Sequence, residues 1–221
     1  MYSVVILAAG SGSRMNLGYN KMIHKINDKL IINMTLDKFI NNDLISEIIV
    51  TVSLENLEYI KKNIVKSDKI KIVLGGCERQ DSVYEAIKYL KSNSINEYVL
   101  VHDGARCNIS NELIDKCIDE IKNTKLSGYG VGVKEKNSIR EVENGYVSKI
   151  LNRDKLYSMQ TPQISKISIL DDCLNKASIS NTLCTDEVSL LVNNGYEVKI
   201  IEGEYSNIKI TTPDDLRGIN E

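Results

Sequence analysis

The sequence predicts an α/β protein with a doubly wound, mostly parallel sheet and a protruding β-hairpin arm. First, short apolar, β-branched runs alternate with segments of helical periodicity, a pattern typical of βαβ units. Second, the first such run, at 4–7, leads directly into a loop of small residues, as in open α/β sheets that bind nucleotides. Third, Asn144-Gly145 separates two strand-like segments, and this dipeptide is the strongest short-range signal for a β-hairpin.

The composition is that of an ordinary globular protein and limits the classes of partner. The chain has 221 residues, of which 42% are hydrophobic and 26% charged, and its formal net charge is −2. This length suits a single domain over 1–221, with 134–153 inserted in it as the β-arm. Because a net charge of −2 gives no overall positive potential, we expect no nucleic-acid or membrane partner. No apolar run reaches the ~18 residues of a membrane span. Five cysteines without C-x-x-C spacing predict reduced thiols and a cytoplasmic location.

Strands and helices are expected to alternate through the first 133 residues. The expected strands lie at 4–7, 47–52, 71–74, 98–101 and 128–133. Helices are expected at 30–41, from the capping residue Ser53 to about 63, from Ser82 onward, and from Ser110 or Asn111 onward. The apolar faces expected inward are Val83, Ala86, Ile87 and Leu90 in the third helix and Leu113, Ile114, Cys117, Ile118 and Ile121 in the fourth. Such alternation predicts right-handed parallel crossovers.

The regular alternation ends at the segments 138–143 and 146–151, which flank Asn144-Gly145. The expected register pairs Val142 with Val147, Ile139 with Ile150, and Arg140 with Lys149, the last a like-charge pair. A two-stranded ribbon is marginally stable alone in water, so it must lie either on its own domain or on a second subunit. On a second subunit, Arg140, Lys149 and Arg153 would collect around an anion.

The last third of the chain returns to an α/β pattern. Helices are expected at 167–177 and 186–193, and strands at 197–201 and 208–211. Thr212-Pro213 predicts the start of a final helix, because proline is well tolerated at the first helical position.

The loop after the first run is a candidate phosphate site. Its small residues allow close approach of the backbone to a ligand, and its amides together with Arg14 and Lys21 can surround a polyphosphate. Met15 stands where the dinucleotide fingerprint needs its third glycine, and the P-loop pattern is absent. The alternative is a tight turn with two surface cations.

Three further stretches contain candidate binding residues. Gly76 and Ser82 could receive a base edge-on, or could form a plain turn and helix cap. Asp103, at the expected carboxyl end of a strand, could hold Mg²⁺ or a ribose hydroxyl, or could form a surface pair with Arg106. Lys209 lies in an apolar run and needs either an anion or an edge position from which it can reach solvent.

Taken in order, these stretches and Thr161-Pro162-Gln163 resemble the motifs of the 2-C-methyl-D-erythritol 4-phosphate cytidylyltransferase family, from Ala8 to Leu216. The resemblance implies a doubly wound nucleotidyltransferase fold and an arm-exchanged homodimer. It also implies Mg²⁺-dependent transfer of CMP from CTP to methylerythritol 4-phosphate, with release of pyrophosphate, in non-mevalonate isoprenoid synthesis. The acceptor's phosphate oxygen is already a nucleophile, so the site needs cations rather than a general base.

The resemblance assigns roles residue by residue. The phosphate loop contains Ala8, Ala9, Gly10 and Gly12, and the catalytic residues are Arg14, Lys21, Arg153 and Lys209. Substrate contacts fall on Gly76, Ser82, Asp103, Arg106, Thr161 and Thr185, with Ser138 and Arg140 in the arm and Asp103 also the metal ligand. Arg14 and Lys21 would stabilise charge at the α-phosphorus, while Arg153 and Lys209 would converge on the acceptor's phosphate across the dimer.

The chain also departs from the family pattern. Asn20 replaces the usual proline before Lys21, and the arm has Asn137-Ser138 where Asp-Thr is usual. Cys77 replaces a charged or polar residue, and Asn108 follows Cys107.

Three other functions share part of this pattern. A ribitol-5-phosphate or other polyol-phosphate cytidylyltransferase would keep the chemistry and change the acceptor, but Glu187 and Ser189 favour methylerythritol phosphate. A non-catalytic nucleotide-binding domain would not need all four cations named above. A sugar-1-phosphate nucleotidyltransferase usually has a longer loop between the residues matching Arg14 and Lys21.

Overall fold

The fold is described from a computed structural model, which covers residues 1–219. In chain order the strands are β1 (Tyr2–Leu7), β2 (Lys25–Ile26), β3 (Lys29–Leu30), β4 (Ile45–Val52), β5 (Ile70–Leu74), β6 (Tyr98–Asp103), β7 (Gly128–Lys134), β8 (Arg140–Glu143), β9 (Tyr146–Ile150), β10 (Tyr157–Lys166) and β11 (Val198–Glu202). The α-helices are α1 (Ile31–Ile40), α2 (Leu57–Asn63), α3 (Arg79–Asn93), α4 (Asn111–Thr124), α5 (Ile167–Ile179) and α6 (Glu187–Asn193). Within these residues, no helix combines the length and apolar character needed to cross a membrane.

Seven strands form the central sheet, in the order β11-β7-β10-β6-β1-β4-β5. Strand β10 runs antiparallel to both β6 and β7, and the other recorded pairings in this sheet are parallel. The expected doubly wound, mostly parallel sheet is therefore confirmed. Apolar residues of α1 and α4 pack on one face and those of α3, α5 and α6 on the other, and the inward faces expected for α3 and α4 are buried. Because both faces are covered, the central strands β1, β4 and β6 contain continuous apolar runs rather than an alternating pattern.

In the second half of the chain, one strand was missed and one expected strand does not form. Strand β10 was not expected, although it lies between β6 and β7 in the sheet. The segment 208–211 forms no strand. The amide of Ile208 donates to the carbonyl of Ser206, at 2.8 Å, and the amide of Ile210 donates to the carbonyl of Ala105 in the loop after β6, at 2.9 Å, so this segment lies outside the ladder. The final helix is a 3-10 helix, Pro213–Ile219.

Two expected helix starts also differ from the structure. Helix α3 begins at Arg79, three residues before the expected Ser82, because Glu78 and Asp81 form a capping box. Ser53 precedes a 3-10 turn at Leu54–Asn56, and α2 itself begins only at Leu57.

The arm is a two-stranded ribbon of β8 and β9. Asn144 and Gly145 have φ values of 51° and 85°, as the expected tight turn requires. Val142 lies opposite Val147 as expected, but a register shift after Glu141 places Arg140 opposite Ile150 and Glu141 opposite Lys149. The expected pairings of Ile139 with Ile150 and of Arg140 with Lys149 were thus wrong. The shift replaces like-charge repulsion with an ion pair of 3.4 Å between Glu141 and Lys149.

All residues of both arm strands are exposed to solvent in the single chain. The large apolar side chains on them are Val142, Tyr146, Val147 and Ile150, which are 58%, 80%, 62% and 74% exposed. The arm therefore does not lie on its own sheet, and residues 1–219 leave its apolar groups largely uncovered.

Candidate functional site

A cleft of about 930 Å³ opens where β1, β4 and β6 end. Ligand sites in open α/β sheets form at this edge, outside the carboxyl ends of the strands. The expected site residues that line the cleft are Ala8, Ala9, Gly10, Gly12, Arg14, Lys21, Gly76, Ser82, Asp103 and Lys209. The tertiary structure therefore brings together four separate stretches of the sequence.

The phosphate loop begins immediately after β1. The amide of Ala8 still donates to the carbonyl of Thr51, at 2.9 Å, so the loop starts from a fixed point on the sheet. Gly12 has φ +68°, and a Cβ there would lie only 3.2 Å from Cγ of Lys21. Glycine at this position lets the loop turn back so that Arg14 and Lys21 face the same cleft.

Lys21 is a partly buried cation in the floor of the cleft. Its Nζ donates to the carbonyl of Ile210, at 2.7 Å, which ties the phosphate loop to the C-terminal segment. Burial, together with repulsion from Lys209 and Arg14, lowers the pKa of Lys21 to about 8. Three cations held together in this way form a site that an anion would stabilise.

Asp103, at the end of β6, is the acidic centre of the cleft. Burial alone would raise its pKa, but Arg79, Lys209 and Arg106 together hold the pKa well below its usual range. Lys209 Nζ lies 2.9 Å from the carboxylate, and the nearest guanidinium nitrogens of Arg79 and Arg106 lie at 3.4 and 3.5 Å. The carboxylate is therefore ionised at neutral pH, and Lys209 meets a buried anion rather than extending from an edge strand.

Arg79 and Glu187 form a buried pair that sequence reasoning missed. The guanidinium donates to both carboxylate oxygens of Glu187, at 2.6 and 2.9 Å, and Glu187 is 3% exposed. Burial by itself would lower the pKa of Arg79. The nearby carboxylates of Glu187 and Asp103 raise it by more than burial lowers it, so the pKa lies above its usual value. The pair joins the first residue of α3 to the first residue of α6, across 108 positions of sequence. Glu187 stood out in the sequence only as a residue that favours methylerythritol phosphate, and its pairing with Arg79 could not be read from the sequence.

Thr161 and Arg106 support the site from behind the cleft. The Thr161 hydroxyl accepts from the Asp103 amide at 3.1 Å and lies 3.0 Å from Nδ1 of His102. Nε2 of His102 lies 3.2 Å from the Arg106 carbonyl, and burial lowers the pKa of this histidine to about 4. Arg106 in turn donates to the carbonyl of Asn207, at 2.8 Å. These contacts hold the backbone around Asp103 in place.

Gly76 and Ser82 form a compact turn beside the phosphate loop. The Ser82 hydroxyl accepts from the Gly76 amide, at 3.2 Å, and donates to the Glu78 carbonyl, also at 3.2 Å. A Cβ at Gly76 would collide with the side chain of Asp81, so the turn requires glycine. Ser82 thus orders this wall of the cleft and does not cap α3.

The remaining expected residues lie outside the cleft lining of the single chain. Ser138, Arg140 and Arg153 are exposed on the arm, and Arg153 donates to the carbonyl of Lys136, at 3.0 Å. Thr185 is exposed just before α6. One chain therefore does not bring Arg153 to Lys209.

Comparison with known proteins agrees with this fold. A sequence model of the IspD family, 2-C-methyl-D-erythritol 4-phosphate cytidylyltransferase, matches residues 2–220. The chain belongs to this family. A relative of that name from Clostridioides difficile is 40% identical over 219 residues, covering 98% of this chain and 91% of its own. One from Bacillus cytotoxicus is 38% identical, covering 98% and 95%.

Solved structures of the family have the same fold. The 4-diphosphocytidyl-2C-methyl-D-erythritol synthase of Anaerococcus prevotii matches with a TM-score of 0.87 and 31% identity, covering 100% of this chain and 96% of its own. The cytidylyltransferase of Francisella tularensis matches with a TM-score of 0.86 and 31% identity, covering 99% and 98%. The expected family and nucleotidyltransferase fold are confirmed.

Proposed function

We propose that this chain transfers CMP from CTP to 2-C-methyl-D-erythritol 4-phosphate, releasing pyrophosphate and forming 4-diphosphocytidyl-2-C-methyl-D-erythritol. Membership of the cytidylyltransferase family supports this reaction. The observation that carries the proposal is the convergence of Arg14, Lys21 and Lys209 on a cleft behind a glycine-rich loop. A cluster of repelling cations suits a site for two phosphorylated substrates.

The mechanism follows from charge and position. An oxygen of the acceptor's phosphate attacks the α-phosphorus of CTP and forms the new P–O bond. The bond to the β-phosphate breaks, and pyrophosphate leaves with the electron pair. No proton has to be removed from the nucleophile, so Arg14 and Lys21 act by holding the triphosphate and stabilising charge on the α-phosphoryl oxygens.

We propose Mg²⁺ as the cofactor, with Asp103 as its protein ligand. Within residues 1–219, no three His, Cys, Asp or Glu side chains are grouped to bind a metal by themselves. Mg²⁺ commonly binds through one or two carboxylates, water and substrate phosphates, and the ionised Asp103 in the cleft suits that donor set. The ion would offset charge on the triphosphate.

The decisive test is pyrophosphate release from CTP with a panel of acceptors. The panel holds 2-C-methyl-D-erythritol 4-phosphate, ribitol 5-phosphate, erythritol 4-phosphate and a sugar 1-phosphate, with UTP and ATP as nucleotide controls. We expect release only with CTP, and fastest with methylerythritol phosphate. Faster release with ribitol 5-phosphate would reassign the acceptor, and no release with any acceptor would overturn the enzymatic assignment.

Triphosphate binding should be coupled to proton uptake by Lys21. With a pKa of about 8 in the free protein, Lys21 is partly neutral at pH 8, and a bound anion favours its charged form. Affinity for CTP should therefore fall as pH rises above 8, while below about pH 7 Lys21 should take up no proton. Calorimetry at pH 8 in buffers of different ionisation enthalpy should show uptake of a fraction of a proton, which falls toward zero below pH 7. Equal uptake by Lys21→Met would contradict this assignment.

We propose that the protein is a homodimer in which each arm packs on the other subunit. The support is the exposed apolar surface of Val142, Tyr146, Val147 and Ile150, which the single chain leaves uncovered. Light scattering at micromolar concentration should give the mass of two chains. Replacing both Tyr146 and Ile150 by aspartate should give monomers, and a compact wild-type monomer would contradict the proposal.

The arm is further proposed to deliver Arg153 to the acceptor's phosphate in the partner's cleft. Arg153→Gln should then raise the KM of the acceptor far more than that of CTP, because a guanidinium binds a phosphate dianion through paired donors. Mixing Arg153→Gln with Lys21→Ala subunits should restore activity, since one site of each heterodimer regains both residues. Random exchange should yield roughly a quarter of wild-type activity.

The matched control mixes Arg153→Gln with the double variant carrying both substitutions. That heterodimer has no site with both wild-type residues and should stay inactive. Demonstrated subunit exchange without recovery in the first mixture would show that the arm does not complete its neighbour's site.

We also propose a cytoplasmic location. All five cysteines are free thiols, and burial raises the pKa of Cys107 to about 11 and of Cys117 to about 12. Unpaired thiols are typical of a reducing compartment.

A further inference from the structure

Asn20 is buried at the centre of the phosphate loop and is 4% exposed. Its side-chain amide donates to the carbonyls of Gly10 and Ala8, at 2.9 and 3.3 Å. Its side-chain oxygen accepts from the amide of Met22, at 2.8 Å, and so caps the short turn that begins at Lys21. One side chain thus binds both the loop and the turn that carries the cation.

These contacts determine which way the loop amides point. In a trans peptide the C=O and the following N–H point in opposite directions. The carbonyls of Ala8 and Gly10 point at Asn20, so the amides of Ala9 and Ser11 point away from it. Neither amide donates to a backbone carbonyl in the described part of the chain, and both residues line the cleft. Two cleft-lining amides that donate to no backbone carbonyl are suited to phosphate oxygens.

We propose that Asn20 is a positioning residue, which orients the Ala9 and Ser11 amides toward the triphosphate and holds that loop in register with Lys21. It touches no reacting atom and acts through the backbone. The inference rests on the proposed function only in taking CTP as the source of the triphosphate. Without Asn20, the two carbonyls would need new donors, and the loop peptides would be free to rotate away from the anion.

The alternative is that Asn20 is merely a cap for the Lys21 turn. Asn20→Ser separates the two roles, because serine is a good capping acceptor but cannot donate to both loop carbonyls. Asn20→Asp also keeps the acceptor and adds a carboxylate that repels the carbonyls. The matched control is Asn33→Ser, since Asn33 makes the same pair of bonds far from the cleft, to the carbonyl of Asn63 and from the amide of Val65.

The probe is inorganic triphosphate, measured by calorimetry, so that binding is tested without turnover. We expect Asn20→Ser to weaken triphosphate binding about tenfold and Asn20→Asp to weaken it more, with Asn33→Ser unchanged. In steady-state assays of Asn20 variants that fold like the wild-type protein, the KM of CTP should rise and the KM of the acceptor should stay unchanged. If Asn20→Ser binds triphosphate as tightly as the wild-type protein does, Asn20 acts only as a cap of the Lys21 turn and the proposal is wrong.

A second measurement uses the wild-type protein and does not depend on any variant folding. In amide-resolved NMR, adding triphosphate should shift the resonances of Ala9 and Ser11 more than those of amides already bonded within the sheet. If these two amides do not respond while triphosphate binds, the proposal is wrong. Triphosphate binding with the expected shifts but no CMP transfer would instead refute the proposed function alone.

Discussion

We expect Arg14→Ala and Lys21→Ala each to lower the turnover of CMP transfer at least ~100-fold, with a much smaller effect on CTP affinity. The reason is that both cations flank the phosphate loop, and their charge is most needed when negative charge builds up on the α-phosphoryl oxygens. Steady-state kinetics should separate the effect on turnover from that on the KM of CTP.

The control for these two variants is Lys61→Ala. Lys61 pairs with Glu58 on the exposed surface, at 3.2 Å, and is not part of the cleft. Its removal should leave turnover unchanged. Near-normal turnover in folded Arg14→Ala or Lys21→Ala would remove that residue from the mechanism.

Arg79→Ala should give the largest loss of stability among the cleft substitutions, ~3 kcal/mol or more in the free energy of unfolding. The change leaves Glu187, which is 3% exposed, as a buried carboxylate without its bidentate partner. Neutralising that carboxylate in Arg79→Ala/Glu187→Gln should recover part of the loss. Urea denaturation of the wild-type protein, Arg79→Ala and Arg79→Ala/Glu187→Gln gives the three free energies of unfolding for comparison.

The control for this prediction is Lys176→Ala, which breaks an exposed pair with Asp172. Pairs of this kind contribute ~1 kcal/mol or less, because water solvates both charges and salt screens them. A loss in Arg79→Ala no greater than that in Lys176→Ala would show that the Arg79–Glu187 pair does not stabilise the fold.

The sequence predicted the elements whose signals are local. The inward faces of α3 and α4 follow from spacing alone, and Asn144-Gly145 correctly marks the turn between β8 and β9. Strand β10 was not predicted from the sequence. It contains Pro162, and a proline argues against a central strand because it cannot donate a hydrogen bond to the ladder. The structure places that proline within a register shift between Met159 and Gln163, where the ladder is already interrupted.

The same limit applies to 208–211, which has a strand-like sequence and yet forms no strand. The amide of Ile210 donates to the carbonyl of Ala105, in the loop after β6, and not to a neighbouring strand. That contact joins residues far apart in the chain, so no local pattern contains it.

For the site, the sequence by itself predicted that the loop after β1, its two cations, Asp103 and Lys209 belong to one site, and the structure places them in one cleft. The sequence also indicated the family to which the chain belongs. It did so because small residues, charges and strand ends are properties of short segments. Only the tertiary structure decided how these groups are held. Arg79 meets Glu187 across 108 positions, and Asn20 proved to bind the loop carbonyls although it had been visible only as a departure from a pattern. Partnerships of this kind depend on burial, and burial is decided by the whole fold.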